Sequence, residues 1–297
     1  MPARRVLITG STGMLGKDVV KVFSEETKFE IFGLSKKCTP IAGSYHHNVV
    51  DLTDTGLLEG ILRDIKPRII VHCAANVNVD VCESNKKYAY QLHVNSTNTL
   101  ASYNPSLTKF VYISTDSVYN GKNSNHSEFE TTLPSNYYAL TKLEGEIRAQ
   151  KQNPNSIVIR TNIFGFQKRE GTSLADWALR NLSQHLPIDG FTDVFFNPIY
   201  TKQLARLIHR VIDAGFRGIL NIGSNSFVSK YDFLVKLCEQ FGFSTDLVRK
   251  RSSEHQRFKA QRPKNTTMDV NRLRGIVRYV PDLLSGLKEM KSDWDAG

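Results

Sequence analysis

Short apolar runs alternate with amphipathic segments over the first half of the chain. Runs rich in Val, Ile and Phe lie at 4–10, 29–34, 68–75, 109–114 and 156–161. Segments with apolar residues at intervals of three and four lie at 13–26, 51–65, 80–103 and 136–151. The first kind of run predicts buried strands and the second predicts helices. Apolar strands that alternate with helices predict an α/β fold, a doubly wound parallel sheet of the Rossmann type.

The pattern loosens after residue 162. Helices are predicted at 172–185, 201–214 and 230–242, with one further strand at 218–223. We therefore expect a dinucleotide-binding Rossmann domain made of 1–162 and 190–224. A smaller, mostly helical substrate-binding domain would comprise 163–189 and 225–297. Ligands of such sheets bind at the carboxyl ends of the strands.

The composition is that of an ordinary globular protein, with 40% hydrophobic and 23% charged residues in 297. No apolar run approaches the about 18 residues of a membrane span, and the first apolar stretch is too short for a signal peptide. The cysteines form no C-x-x-C pair, so we assign no metal. Free thiols in a reducing cytoplasm are the expectation.

The net charge of +10 favours anionic partners. Neither zinc-finger spacing nor an aromatic RNA-binding signature is present, so the sequence predicts no nucleic-acid partner. A basic enzyme that handles phosphorylated ligands fits this charge, although a solvated basic surface accounts for most of it.

A glycine-rich turn, "GSTGMLG", joins the first predicted strand to the first helix. In the pattern G-x-x-G-x-x-G, Gly10 permits a tight turn, Gly13 lets the backbone approach a pyrophosphate, and Gly16 lets helix and strand pack closely. The free N–H groups of the helix favour phosphate. We expect cofactor contacts along the whole turn, from Gly10, Ser11, Thr12, Gly13, Met14, Leu15 and Gly16. A purely structural turn is the alternative.

The end of the second strand indicates which dinucleotide binds. An acidic residue about 20 positions after the glycines marks NAD, but 31–50 contain neither Asp nor Glu. Ser35, Lys36 and Lys37 offer a hydroxyl and ammonium groups instead, which suit a 2′-phosphate. The sequence therefore favours NADP(H) over NAD(H), unless these lysines are only solvated loop residues.

Two adjacent tyrosines and a lysine lie in "NYYALTK". At about 100° per residue, Tyr138 and Lys142 lie within about 40° of one helix face, whereas Tyr137 and Lys142 diverge by about 140°. An ammonium group near a phenol lowers the phenol's pKa and makes it a usable general acid. The pair alone is common and mostly structural. However, "YISTDSVYNG" ends a strand at the ligand edge and presents Ser114, Thr115, Asp116 and Ser117, and a hydroxyl among them suits a carbonyl oxygen.

These motifs together resemble those of the extended short-chain dehydrogenase/reductases. The glycine turn, "HCAA", "STDSVYNG" and "YYALTK" follow in the family's order and spacing. More narrowly, the chain resembles the dTDP-4-dehydrorhamnose reductase group. "ISTDSVYNG" is similar to S-T-D-x-V-F-x-G, "VDVCE" to V-D-x-A-E, and "RPKNTTMD" to R-P-x-N-[ST]-x-L-D. The resemblance covers most of the chain, although Tyr119 replaces the group's usual Phe.

The resemblance implies roles for individual residues. Thr115 takes the catalytic Ser/Thr position, Tyr138 is the acid/base, and Lys142 binds the nicotinamide ribose and lowers the tyrosine pKa. Further cofactor contacts are implied for Asp51, Leu52, Cys73, Ala74, Ala75 and Asn95. Implied substrate contacts are Val77, Asp116, Phe164, Trp177, Arg262 and Asn265. Of these, Arg262 and Asn265 would bind the diphosphate. Phe164 and Trp177 would line the sugar or base pocket, or alternatively pack in the protein core.

The implied reaction is NADPH-dependent reduction of the 4-keto group of a nucleotide-linked 6-deoxyhexose, in the synthesis of cell-surface polysaccharide precursors such as dTDP-rhamnose. A nucleotide-sugar epimerase or dehydratase on the same scaffold remains an alternative. A non-catalytic regulatory subunit that binds NADP and a partner protein is another. A homodimer is possible.

Overall fold

A computed structural model describes residues 3–37, 45–167, 173–256 and 259–296. In chain order its strands are β1 (Arg4–Thr9), β2 (Phe29–Ser35), β3 (His46–Val49), β4 (Ile69–His72), β5 (Lys109–Ile113), β6 (Ile157–Arg160), β7 (Asn162–Phe164), β8 (Ile188–Phe191), β9 (Phe195–Phe196), β10 (Pro198–Tyr200), β11 (Gly218–Asn221), β12 (Val228–Ser229) and β13 (Val248–Arg251). Seven of them form one sheet in the order β11-β6-β5-β4-β1-β2-β3. All neighbours in this sheet are parallel. The three pairs β7–β10, β9–β12 and β8–β13 lie outside it.

Helices connect the strands. They are α1 (Met14–Ser24), α2 (Thr55–Ile65), α3 (Val79–Ser84), α4 (Lys86–Tyr90), α5 (Ser96–Ala101), α6 (Tyr137–Gln152), α7 (Leu174–Ser183), α8 (Thr201–Asp213), α9 (Lys230–Phe241), α10 (Asn271–Arg274) and α11 (Leu283–Asp295). A π-helical turn covers Gln91–Asn95, and short 3₁₀ turns cover Asp116–Val118, Thr245–Leu247 and Ser253–His255.

Both faces of the sheet are buried, as the apolar strands predict. In β1, Val6 and Ile8 belong to a cluster that includes residues of α1 and α8. Leu7, between them, belongs to the opposite cluster, with residues of α2, α5 and α6. Successive side chains of a strand point to opposite faces, so each helix layer covers one face. The doubly wound Rossmann-type fold is confirmed.

A third apolar cluster lies in the later part of the chain. It joins α7, α9 and α11 through residues such as Leu179, Phe233 and Leu287. Phe164 also lies in it and is only 2% exposed. This cluster gives the helical region a core of its own, while the exact domain boundaries given above stay a prediction.

Several elements differ from the sequence pattern. The short strands β7 to β10, β12 and β13 and the helices α10 and α11 were not predicted. The edge strand β3 was missed, because its residues are mostly exposed and polar; pairing with β2 and stacking of His46 on Phe32, at 4.7 Å between ring centroids, support it. The single helix predicted at 80–103 is broken. The Asn85 side chain accepts a hydrogen bond from the backbone N–H of Tyr88 and starts a new helix there, and the π-helical turn follows.

Candidate active site

The glycine turn has the tight geometry that its sequence predicts. Gly10 has a φ of 65°, in the left-handed region. A Cβ atom at Gly10 would lie 2.9 Å from the Cα atom of Ala74, and one at Gly16 would collide with the Gly10 carbonyl oxygen. The structural roles predicted for Gly10 and Gly16 are confirmed. The approach of Gly13 to a pyrophosphate stays a prediction.

The start of α1 is suited to an anion. Gly13 is its N-cap residue and supplies no side-chain hydrogen bond to the first turn. The N–H groups of that turn are therefore available to phosphate oxygens. Thr12 and Met14 are partly exposed beside them. By contrast, the buried Ser11 bonds to the Leu34 carbonyl, and Leu15 packs in the core, so only their backbones can contribute.

The predicted 2′-phosphate site already contains an ion pair. The Lys36 Nζ atom lies 2.7 Å from Asp51 Oδ2 and 4.8 Å from the centroid of the Tyr88 ring. The hydrogen bond that Lys36 donates to the Asp51 carboxylate raises the pKa of Lys36. Ser35 donates to the Lys37 carbonyl at 2.8 Å, while Leu52 packs in the core. A phosphate at Lys36 would therefore compete with the Asp51 carboxylate.

The segment after β4 lies next to the glycine turn. Ala74 donates its backbone N–H to Thr9 Oγ1 at 3.3 Å, and Cys73 and Ala75 flank it, partly buried. Burial raises the pKa of the Cys73 thiol to about 12, so the thiol is neutral and acts as a small apolar group.

The three predicted catalytic residues meet at the carboxyl end of β5. Thr115 follows that strand by two residues, and Tyr138 and Lys142 occupy successive turns of α6. The Thr115 hydroxyl lies close to the Tyr138 phenol, donates to Asp116 Oδ1 at 3.2 Å and accepts the backbone N–H of Ser117 at 3.2 Å. Lys142 donates from Nζ to the Ile113 carbonyl at 2.7 Å and lies 4.0 Å from the centroid of the Tyr112 ring.

Burial controls the protonation of these groups. Burial raises the pKa of Tyr138, and the nearby Thr115 hydroxyl only partly offsets this effect. The sequence predicted that the pKa of Tyr138 would be lowered, and the structure gives the opposite direction. The reason is desolvation, which disfavours the charged phenolate. Burial also lowers the pKa of Lys142 to about 7, with Glu146 acting to raise it. Tyr138 therefore holds a proton at neutral pH.

A histidine rather than the predicted asparagine contacts this site. Asn95 lies on the exposed side of its turn. His93 is buried, and its ring is 5.8 Å from the Tyr138 ring in an edge-on arrangement. Its Nε2 atom accepts the backbone N–H of Asn76 at 3.0 Å, and Nδ1 lies 2.8 Å from Thr141 Oγ1. The sequence did not predict a role for His93. The prediction assumed a regular α-helix over 80–103, whereas the π-helical turn at Gln91–Asn95 changes which side chains face α6.

A cavity of about 1600 Å³ lies close to these residues, although Thr115, Tyr138 and Lys142 are not among its lining residues. Its wall includes Ser135, three residues before Tyr138, and Lys230, whose charge interacts with that of Asp116. It brings together three predicted substrate residues, Trp177, Arg262 and Asn265. Asn136 Nδ2 bonds to the Gln261 carbonyl at 2.8 Å and so joins the start of α6 to the cavity wall. The wall also includes Ser135, whose buried hydroxyl has no hydrogen-bond partner among the described residues.

The cavity is positively charged. Its lining cations are Lys122, Lys230, Arg249, Arg262 and Lys264, against the carboxylates of Asp189 and Asp193. Both carboxylates form ion pairs, with Arg251 and Lys264 respectively. Lys230 lies 3.5 Å from the centroid of the Phe196 ring, and burial lowers its pKa to about 8. Sequence reasoning missed Lys230, since no motif marks the start of α9. Such a wall suits an anionic ligand.

Three predicted substrate residues lie elsewhere. Phe164 packs in the helical core, which corrects its assignment to the pocket. Val77 is exposed and does not line the cavity. Asp116 is buried, and its Oδ2 atom accepts bonds from Asn162 at 2.7 Å and Thr266 at 2.5 Å, so its carboxylate holds neighbouring segments together.

Other kinds of site are not seen in the described ranges. Residues 3–37, 45–167, 173–256 and 259–296 contain no group of His, Cys, Asp and Glu that could hold a metal ion. In the same ranges no helix is both long and apolar enough to span a membrane. Cys73, Cys82 and Cys238 are free thiols, and Cys38 lies outside the described residues.

Comparison with known proteins supports the resemblance seen in the motifs. The dTDP-4-dehydrorhamnose reductase of Bacillus anthracis, solved in complex with NADP, is 26% identical, with a TM-score of 0.86 over 98% of this chain and 99% of that one. Methionine adenosyltransferase 2 subunit beta of Mus musculus is 29% identical over 97% of this chain and 87% of its own length. The probable low-salt glycan biosynthesis reductase Agl14 of Haloferax volcanii is 27% identical over 97% of this chain and 99% of its own length.

The family model described as the RmlD substrate binding domain matches residues 4–293, nearly the whole chain. With the NADP-bound reductase structure above and the motifs, this match shows an extended short-chain dehydrogenase/reductase similar to the dTDP-4-dehydrorhamnose reductases. The chain belongs to the RmlD substrate binding domain family.

Proposed function

We propose that the protein is an NADPH-dependent oxidoreductase that reduces the 4-keto group of a nucleotide-linked 6-deoxyhexose. Its product would serve cell-surface polysaccharide synthesis in the cytoplasm. The observation that carries the proposal is the convergence of Thr115, Tyr138 and Lys142 at the carboxyl end of β5, close to a cation-lined cavity. Named reductases among the relatives support the reaction class.

The glycine turn fits the pyrophosphate of a dinucleotide. Side chains at Gly10 or Gly16 would collide with neighbouring backbone, and the first turn of α1 is uncapped. Lys36 and Lys37 would hold the 2′-phosphate, and Cys73–Ala75 would line the cofactor. When bound, NADPH supplies a hydride to the carbonyl carbon. The NADP-bound relative supports NADP(H) over NAD(H).

Tyr138 would donate the proton that the reduced carbonyl oxygen requires. Burial keeps its phenol protonated at neutral pH, and the Thr115 hydroxyl would bind the same oxygen. The Lys142 ammonium would stabilise the resulting phenolate, since opposite charges favour the ionised forms of both groups. Glu146 supports this role because it raises the pKa of Lys142 against the effect of burial.

The cavity would hold the nucleotide-sugar substrate. Lys230 and Arg262 would pair with its diphosphate, and Trp177, 39% exposed, offers a flat surface to a base or sugar ring. The amide of Asn265, also in the wall, would donate to a phosphate or hydroxyl oxygen. Its volume of about 1600 Å³ exceeds that of a drug-sized pocket, as a nucleotide joined to a sugar requires.

The direct test follows NADPH absorbance with purified protein and dTDP-, GDP- or UDP-linked 4-keto-6-deoxyhexoses. We expect NADPH consumption with one nucleotide series and a slower reaction with NADH. Absence of turnover with every member of the panel, under conditions where a known reductase of this family is active, would overturn the proposal.

A second candidate is a regulatory subunit. The similarity to methionine adenosyltransferase 2 subunit beta extends over 97% of this chain, and that protein is named as a subunit of an adenosyltransferase. On this alternative the chain would bind NADP and a catalytic adenosyltransferase without reducing a sugar. Co-purification with such an enzyme, together with no turnover on the panel, would favour it.

A further inference from the structure

We infer that the amino-terminal edge of the sheet carries a second anion site, which binds a small phosphorylated ligand. A cation lies at the start of four strands. Arg4 begins β1 and Lys109 begins β5, while Arg68 and Arg217 directly precede β4 and β11. The strands β5, β4 and β1 are neighbours in the sheet, so their cations follow one another at about 5 Å along one edge.

These four side chains line one concavity. Its volume is about 540 Å³, within the range of about 300–1,000 Å³ typical of ligand pockets. The remaining lining residues are uncharged: Ile69, Ser106, Leu107, Thr108, Asn155 and Ile212. We call this concavity the edge pocket. Its wall contains four positively charged side chains and no carboxylate.

The described residues provide no carboxylate partner for the cations of the edge pocket. In the part of the chain that the structure describes, no carboxylate lies within 4.0 Å of these four cations. Two carboxylates in neighbouring elements form ion pairs with other cations. Asp213 lies 3.6 Å from Lys28, and Glu30 lies 3.2 Å from Arg5. Uncompensated cations in a concave wall concentrate positive potential where an anion would bind.

The position and the pKa of Lys109 are consistent with a positive potential in the edge pocket. Its Nζ atom donates to the Phe216 carbonyl at 3.1 Å, which fixes the ammonium at the pocket. Burial, and then the charge of Arg217, lowers its pKa. A bound anion would act against this lowering of the Lys109 pKa, because it would supply a counter-charge to both cations.

The edge pocket is separate from the candidate active site. Lys109 and Thr115 stand at opposite ends of β5, and six residues of extended chain span roughly 20 Å. A dinucleotide at the glycine turn, at the carboxyl end of β1, therefore does not reach the edge pocket. The two sites can be tested independently.

The wall chemistry indicates the ligand class. Guanidinium groups match phosphate oxygens in paired hydrogen bonds, and three arginines with a lysine suit more than one phosphate charge. A second concavity of about 590 Å³ shares Arg68 and adds Lys66 and the Tyr103 ring. That ring offers a surface for a base or sugar. A phosphate-rich nucleotide fits this combination of concave, basic and partly apolar walls.

Calorimetry with inorganic pyrophosphate and with ATP tests the inference, in the presence of saturating NADP⁺. The double variant Arg68→Ala/Arg217→Ala should bind both probes at least about 10-fold more weakly, since hydrogen bonds to charged groups are lost. The matched control Arg278→Ala/Lys288→Ala removes two exposed cations elsewhere and should stay within about two-fold. NADP⁺ affinity should be unchanged in both variants.

Several results would overturn the inference. These are no binding of either probe to the unmodified protein, equal weakening in both double variants, or no weakening in the first. Binding of a single-stranded oligonucleotide that depends on Arg68 and Arg217, without pyrophosphate binding, would replace the small ligand with nucleic acid. Thermal unfolding of both variants checks that each is folded.

Discussion

A buried ion pair beneath the candidate active site gives the most quantitative prediction. The Glu146 carboxylate accepts bonds from Arg160 Nη2 at 2.7 Å and from the Ser114 hydroxyl at 2.5 Å. The side chains of Glu146 and Arg160 are only 2% and 3% exposed. Glu146→Gln would leave the guanidinium in the interior without its counter-charge. Removal of one partner from a buried pair typically costs about 3–5 kcal/mol.

That cost converts into a measurable shift. A chain of 297 residues has an unfolding entropy of about 0.6 kcal/mol/K, so the melting temperature should fall by about 5–8 °C. Glu144→Gln is the matched control, because Glu144 lies on the same helix and its side chain has no hydrogen bond or ion pair with any described residue. Its melting temperature should stay within about 1 °C. Urea unfolding followed by tryptophan fluorescence gives the free energy independently.

Equal melting temperatures for the two variants would refute the reasoning, since burial would then have no cost for the unpaired guanidinium. The same change should affect activity. Because Glu146 raises the pKa of Lys142 against burial, Glu146→Gln should lower it further and reduce turnover at neutral pH more than Glu144→Gln does.

Three further predictions concern the cofactor and the catalytic helix. Lys36→Ala should reduce the preference for NADPH over NADH by about 10-fold or more, as a charge-assisted phosphate contact is lost; an unchanged ratio of kcat/KM values would contradict this. His93→Leu should lower the free energy of unfolding by about 1–3 kcal/mol, because it leaves the buried N–H of Asn76 without an acceptor; a loss below about 0.5 kcal/mol in urea titrations would refute that assignment. Lys142→Met should gain stability relative to the unmodified protein at pH 6, and the gain should shrink as pH rises from about 7 towards 10.5. The sign follows from the lowered pKa of Lys142 in the folded protein. Below pH 7 the buried ammonium lowers the free energy of unfolding by roughly a few kcal/mol, and this loss disappears at a pH where the lysine is deprotonated in the unfolded chain as well. A pH-independent difference would contradict it.

Much of the fold could be predicted because the parallel sheet is buried on both faces. Its central strands then consist almost wholly of apolar residues, as in Ile69–His72 and Ile157–Arg160, and amphipathic helices such as α1 and α2 connect successive strands. β3 escaped prediction because an edge strand gains its stability from one neighbour, and its exposed side chains carry no periodic signal.

The candidate site could be predicted only where a local motif carries the chemistry. Tyr138 and Lys142 are four residues apart on one helix, so their proximity follows from helix geometry alone. Lys230 and His93 reach the site through tertiary packing, which no local spacing encodes. Phe164 was misassigned for the same reason: an apolar side chain looks the same in a sequence whether it lines a pocket or a core.

The two adjacent tyrosines of α6 provide the most direct test of the central claim. The Thr115 hydroxyl lies close enough to the Tyr138 phenol to act on its pKa, whereas the Tyr137 ring centroid lies 5.2 Å from Lys86 Nζ, outside the catalytic group. With the preferred 4-keto sugar nucleotide and NADPH, Tyr138→Phe should lower kcat by at least about 10²-fold, the typical contribution of general acid catalysis, with NADP⁺ affinity retained. Tyr137→Phe should change kcat by no more than about three-fold. Full activity of Tyr138→Phe, or an equal loss in both variants, would contradict the assignment of Tyr138 as the proton donor.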